Sequence, residues 1–438
     1  MHSDFNPVMK ILFISKQCIA GDLANQLVKE GHDVKLFFHD KKAKHNFDYM
    51  IPKTENWRTE LGWVGKDGLI IFDDIGYGKT QDQLRKKGYI VFGGSELGDK
   101  LENNREFGQQ IFADAGLKTT PLIGFNNVED AILYVQAHPD DWVVKQNFGN
   151  KFINYVGYYR DGRDVISLLT NYLQEKMLSR EGIILHKRIR GIEIGVGRYF
   201  NGTDWVGPIE FNIEHTALLP GDIGPMTSEM GTLAWYGEDE NNKLYQETLV
   251  KLKPFLEKSG FRGDFEVNCI VNEDGVFPLE PTCRFGSPIV HLHSEIHNSP
   301  WGEFLYAVAS GQDYDLKYKK GYGVVVLLAV PPFPFNKKIS NPLFGVDIHF
   351  DNFSKEDFDH IHFEEVSLRV GSKNKYYISN GEGYILYVTG MGNTIEEAQN
   401  KVYSLTKRVV VPKMMYRNDI GSKFAHEDCE TLKKWGYL

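Results

Sequence analysis

Glu280, Thr282 and Arg284 close an apolar run, Gly275-Val276-Phe277-Pro278-Leu279-Glu280-Pro281-Thr282-Cys283-Arg284-Phe285-Gly286. On an extended strand, residues two apart share a face, so these three side chains line one surface. Two oxygen-bearing groups beside a fixed guanidinium suit Mg2+ in the company of a substrate phosphate. The guanidinium can grip a phosphate or an acyl phosphate through two parallel hydrogen bonds. The same spacing also describes a strand ending in a surface ion pair, and the triplet alone does not separate the two readings.

Other residues could join this chemistry. Phe265 to Val271, the turn Asn272-Glu273-Asp274-Gly275, and Val276 to Glu280 read as a hairpin that brings Asn268 opposite Glu280 or nearly so. Lys145 ends the short strand Trp142-Val143-Val144-Lys145, just before a glycine-punctuated stretch from Phe148 to Gly157. Glu193 sits in the strand-like Gly191-Ile192-Glu193-Ile194-Gly195-Val196. The plainer readings are a paired or snorkelling surface residue for Lys145 and Glu193, and a simple hairpin residue for Asn268. His291 and His293 alternate on a stretch read as extended, with no third ligand evident. With His215 and His297 they are taken as core, surface or substrate-contact residues rather than a zinc site. Asp73-Asp74, after a strand, could hold Mg2+ or belong to an ordinary turn. Cys18, Cys269, Cys283 and Cys429 form no CxxC pair, so reduced thiols are expected, with Cys269 and Cys283 as small strand residues.

The elements that position these groups follow from periodicity. Strands at Lys10–Ile14, Val34–Phe38, Gly68–Phe72 and Tyr89–Phe92, separated by helical stretches, indicate a doubly wound parallel sheet. The turn after the first strand, residues 15 to 21, holds a single glycine, so a dinucleotide site is not expected. A polar helix is expected from Asp99 through Ala115, ended by Gly116. From about Gly321 a new pattern of short strands begins, with a helix from Thr394 to Arg408, which suggests a separate C-terminal α+β domain.

At 438 residues the chain is too long for one ordinary core. With 42% apolar and 25% charged residues it has the composition of a soluble globular protein, and no apolar run is long enough to span a bilayer. The formal charge of −9 argues against broad nucleic-acid coating but leaves room for a local anion site. The N-terminus carries Asp4 and Lys10 and runs straight into a strand with no signal-peptide pattern; with the unpaired cysteines this leads to the expectation of a cytoplasmic protein, and a monomer or homodimer is expected.

Four stretches in order resemble the ATP-grasp ligases, specifically phosphoribosylamine–glycine ligase. Gly93-Gly94-Ser95 with Leu101-Glu102-Asn103-Asn104-Arg105-Glu106-Phe107 resembles that family's "GPS…LE.SK.F" segment. Residues Gly221 to Gly231 resemble its "GD.GPNTGGMG" loop, Leu279 to Pro288 its "LEFN.RFGDPE", and Tyr416 to Gly421 its "YR.DIG". The resemblance implies an α/β and α+β multidomain chain with an ATP-grasp fold. Its parts would be an N-terminal doubly wound parallel-sheet (pre-ATP-grasp) domain at 1–115, a lid subdomain at 116–190 and a central subdomain at 191–320. A small C-terminal α+β domain would occupy 321–438.

The resemblance also assigns roles. Lys145 and Arg105, the latter where the family has lysine, would hold nucleotide phosphates, with the loop around Gly149 closing over them. The backbone at Lys187 and Ile189 would read adenine, and Glu193 the ribose. Glu280 would hold Mg2+, with Asn268 and Thr282 as further ligands and Mn2+ as an alternative ion. Arg284 and Asp222 would serve the acyl-phosphate chemistry. The implied reaction joins a carboxylate and an amine at the expense of ATP.

Departures from the family gather on the acceptor side. The glycine-rich N-terminal loop is absent. "DHKR" becomes Glu214-His215-Thr216-Ala217, "GDPE" becomes Gly286-Ser287-Pro288-Ile289, Glu229 replaces a glycine, and Thr282 replaces an asparagine. The expectation is therefore an amino acid such as glycine joined to an amine other than phosphoribosylamine, with nucleotide or nucleobase modification as one setting. The first alternative is a true phosphoribosylamine–glycine ligase. The second is a catalytically silent nucleotide-binding protein, argued from Thr282 and Arg105.

Overall fold

A computed structural model describes residues 8–146, 154–174, 182–335, 343–372 and 374–438. The N-terminal sheet is parallel, in the order Asp33–Phe38, Lys10–Ser15, Leu69–Phe72, Ile90–Phe92. Leu69 to Phe72 are all buried, as a strand covered on both faces requires. Asp73 follows this strand and is itself buried. It accepts from Ser15 Oγ at 2.6 Å and from the Ala20 N–H at 3.1 Å, which ties down the turn after the first strand. That is the turn role, and its carboxylate is spent on the protein rather than offered to a metal.

A second, antiparallel sheet runs Leu122–Phe125, Ile183–Lys187, Trp142–Gln146, Tyr155–Val156, beneath helices Val128–Ala137 and Arg163–Gln174. Val135, Val144, Val165, Leu169 and Leu185 give it a small core of its own.

The third sheet has eight antiparallel strands. Gly275–Thr282 lies at one edge, followed by Gly263–Asn272, Ile192–Phe200, Trp205–Glu214 and Gly231–Gly237. Tyr322–Ala329, Tyr384–Gly392 and Ile361–Phe363 complete it. Gly231 to Trp235 pair with Tyr322 to Val326, so three strands after residue 321 join the central sheet, while Val366–Arg369 pairs with Lys375–Ile378 and His349–Phe350 with Val409–Val410 outside it. Strand alternation divides the central strands into two faces. Ile194, Val196, Phe211, Ile213, Phe265 and Val267 go into the main core. Glu193, Gly195, Glu210, Asn212, Glu214, Glu266, Asn268, Glu280 and Thr282 share the other face.

The polar helix expected from Asp99 to Ala115 is two helices, Glu96–Asn103 and Arg105–Asp114. Asn104 leaves the helical region (φ −116, ψ 100) and its side chain accepts from the Phe107 N–H, starting the second helix as its N-cap. The break turns Glu102 and Arg105 toward the edge strand that carries Glu280.

Candidate active site

The hairpin fulfils its sequence pattern. Asn268 stands opposite Glu280 on one side and opposite Gly195 on the other. Its Nδ2 donates to Glu193 Oε1 at 3.0 Å and to Glu214 Oε2 at 3.1 Å, drawing two carboxylates toward one amide. Burial, then the neighbouring Glu280 charge, push the Glu193 carboxyl up, against the pull of Lys145 and Asn268.

Lys145, Arg105, Glu193 and Glu280 converge from four different elements. Arg105 lies 3.8 Å from Glu280, a loose pair that leaves the Arg105 Nε buried without a hydrogen-bond partner among the described residues. Burial, and then the Arg105 charge, lower Lys145 to about 8. A cation held at the cost of its charge beside a second cation matches a polyanion, whose binding would reverse that cost. Beside them, Glu280, Thr282 and Asn268 supply oxygen atoms of the kind Mg2+ takes. The residues present therefore fit a magnesium-bound nucleoside triphosphate.

Arg284 is held further along the strand end. Its Nε donates to Glu102 Oε1 at 3.1 Å, while Glu102 Oε2 accepts the Cys283 N–H at 2.7 Å. Asp74 lies 3.8 Å away. Burial opposes the charge on Arg284, but Glu102 and Asp74 outweigh it and hold the guanidinium protonated. Lys16, Asp74, Arg105, Glu280, Thr282 and Arg284 line a cleft between the N-terminal sheet and the edge strand.

Other sequence expectations land differently. The Lys187 side chain turns outward to Asp140 at 2.7 Å and Ile189 is half-buried; neither is among the residues that line the cleft. Gly149 and most of its loop lie outside the described residues. Asp222, at φ +57 in the turn between strands Ala217–Leu219 and Ile223–Met226, is paired with Arg417 at 2.9 Å. The fully buried Arg417 also grips Asp419 with two bonds of 2.8 Å, and Asp419 accepts the Gly221 N–H. Asp222 is thus anchored by the C-terminal segment, and the structure does not bring it into contact with Arg284.

His291 and His293 are not on an extended stretch but on helix Ile289–Ile296, where residues two apart diverge. His293 pairs with Glu210 and Tyr199. His291 reaches Asp22 and His362, all three within 4.8 Å. The partners missing from the sequence reading come from distant elements on either side of the helix, and His362 Nδ1 meets Asp22 Oδ2 at 3.0 Å across 340 residues of chain. Cys269 and Cys283 are free and buried, and burial pushes both thiols up, which suits small interior residues rather than nucleophiles. Glu102 and Arg417 were visible inside quoted motifs, but nothing local told that each clamps another site residue. Glu266, facing Thr282 across the hairpin, gave no sequence signal at all.

Residues 103–290 match the family model of the phosphoribosylglycinamide synthetase ATP-grasp (A) domain. Phosphoribosylamine–glycine ligase of Clostridium acetobutylicum is 23% identical over 353 residues, 78% of this chain and 80% of the relative. The crystal structure of the Thermotoga maritima phosphoribosylamine–glycine ligase superposes with a TM-score of 0.69 at 18% identity, covering 94% of this chain and 100% of that one. The biotin carboxylase domain of Hydrogenobacter thermophilus 2-oxoglutarate carboxylase, solved with MgADP, superposes at 0.62 and 12% identity, with 97% of each chain covered. Among the described residues no helix is long and apolar enough to cross a membrane.

Proposed function

Because this chain is an ATP-grasp ligase of the ADP-forming carbon–nitrogen class, similar to phosphoribosylamine–glycine ligase, we propose that it activates an amino-acid carboxylate as an acyl phosphate and passes the acyl group to an amine. The observation that carries this reading is the convergence of Lys145 and Arg105 on Glu280, with Arg105 Nε unpartnered among the described residues. Lys145 and Arg105 hold the phosphates and Glu193 faces the ribose. Glu280, Thr282 and Asn268 would hold Mg2+, which supplies charge neutralisation between phosphate oxygens.

In the reaction a carboxylate oxygen attacks the γ-phosphorus of ATP and the bond to ADP breaks. The amine nitrogen then attacks the acyl carbon, the carbon–oxygen bond breaks, and phosphate leaves with the proton the amine loses. Phosphoryl transfer of this kind needs positioning and charge compensation more than a protein nucleophile. Arg284, held by Glu102, faces the acyl phosphate. Asp222 keeps its hairpin at the mouth of the acceptor side through Arg417.

The relatives' names favour glycine as the acid and phosphoribosylamine as the amine, the first alternative above, more than they favour a different amine. The local observation on the other side is the replacement of basic acceptor residues at 214–217 and the arrival of Glu229. Calorimetry with Mg-ATP, followed by ADP release with amino acids and amines, tests the ligase reading. Nucleotide binding without amine-dependent ADP release would favour a silent nucleotide-binding protein. Growth of a purine-ligase-deficient strain on this gene would establish the phosphoribosylamine reading.

A further inference from the structure

The polar face of the central sheet has an unusual supply of acceptors. Gly195 lies between Asn268 and Asn212 in register, and a Cβ on it would come within 2.3 Å of Asn212 Oδ1 and 2.6 Å of Glu266 Oε1. The two oxygens therefore point at the same spot. Both are buried, and neither has a hydrogen-bond partner among the described residues; the same is true of Asn268 Oδ1. Glu229, in the position where the resembled motif has glycine, is buried beside them and accepts from Thr232 Oγ1, and Thr232 is the register partner of Glu214.

The electrical balance points the same way. Among the described residues no cation lies within ion-pair distance of Glu229 or Glu266, and Arg284 is taken up by Glu102 and Asp74. Buried acceptors without donors are costly, and a carboxylate group left without a counter-charge more so. A ligand with several N–H donors and a positive charge relieves both costs at once. A phosphate-bearing ligand would worsen them.

Resting on the ligase reading, we propose that the amine acceptor is a phosphate-free cation of the alkyl diamine class, its ammonium end received by Glu229, Glu266 and Asn212. The other, neutral amine attacks the acyl carbon, and its proton leaves with the phosphate. Glu229 and Glu266 are then specificity-determining residues.

The test uses hydroxylamine, a small neutral acceptor that traps acyl phosphates as hydroxamates whatever the natural amine. The full-length protein is assayed with Mg-ATP and glycine or other amino acids. Putrescine and 1,3-diaminopropane are expected to compete with hydroxylamine, or to form amide, at concentrations at least about tenfold below those at which ribose 5-phosphate acts. Glu229→Gln and Glu266→Gln should each weaken the diamine effect by about tenfold or more, with KM for ATP unchanged. Stronger inhibition by ribose 5-phosphate overturns the inference, as does diamine competition that survives both substitutions. Loss of diamine competition when Mg2+ is raised would show that this face takes metal instead, and overturns it too. Absence of hydroxamate with every acid sinks the ligase reading and this inference with it. Hydroxamate formation indifferent to diamines sinks this inference alone.

Discussion

Glu102 grips Arg284 from 182 positions away, 3.1 Å from carboxylate oxygen to Nε, while its second oxygen holds the backbone of Cys283. The pair fixes the guanidinium at the strand end, where its Nη1 also donates to the Phe285 carbonyl at 2.8 Å and Arg284 lines the cleft. Glu102 therefore acts through Arg284 rather than on substrate.

Replacing Glu102 by Gln keeps the shape but removes the charge that orients Arg284. Amine-dependent ADP release should fall by about 10- to 100-fold in kcat, since misplacement of a reacting clamp by about 1 Å costs that much. KM for ATP should hardly move, because Lys145 and Arg105 remain. Equal losses in both parameters would show that Glu102 supports the nucleotide site as a whole.

Lys145 is held at about 8 by burial and by Arg105. In the unfolded chain it binds its proton up to about 10.5, so between these values folding gains stability as pH rises. A polyanion does the opposite and restores the proton. Nucleotide binding near pH 9 should therefore take up a fraction of a proton, visible as a dependence of calorimetric enthalpy on buffer ionisation heat. Lys145→Met should abolish that dependence.

Arg417 joins Ala217, Asp222 and Asp419 from a position 1% exposed. Arg417→Met would leave the Asp419 carboxylate half-buried without its partner and free the hairpin that carries Asp222. We expect a loss of about 2–3 kcal/mol in urea unfolding, together with faster proteolytic cleavage near residues 219–226. A change in activity without either would speak against an anchoring role.

Asp22 is buried and its carboxyl lies below the ordinary 3.8, because the His362 hydrogen bond and charge outweigh the desolvation that burial imposes. A depressed carboxyl contributes stability above its unfolded value, and that stability drains away as pH falls below about 4. The urea midpoint of the wild type should thus drop more between pH 6 and pH 3 than that of Asp22→Asn. Parallel curves would mean that the Asp22–His362 pair carries no acid sensitivity.

Much of the architecture was legible because it is written in local chemistry. The apolar runs at Lys10–Ile14 and Gly68–Phe72 became parallel strands, and the Asn272-Glu273-Asp274-Gly275 turn set the hairpin that places Asn268 opposite Glu280. A propensity reading runs one helix from Asp99 to Ala115 because it has no means to weigh a single Asn104 as cap against Asn104 as helix interior. The histidines differ for a similar reason. His291 and His293 alternate in sequence, but helix geometry sends one to Asp22 and the other to Glu210.

By itself, then, the chain's sequence determined the residue types at the candidate nucleotide side: a lysine on a strand, a carboxylate and hydroxyl two apart, an arginine two further on. Period-two spacing on one strand puts Glu280 and Thr282 on a shared face, but the strand ends at Thr282 and Arg284 is placed by Glu102. Tertiary structure alone decided which groups from distant segments meet. Glu102 finds Arg284, Arg417 finds Asp222, and Glu266 joins Asn212 over Gly195. Those meetings depend on sheet order and chain crossing, and no local pattern of side chains encodes them.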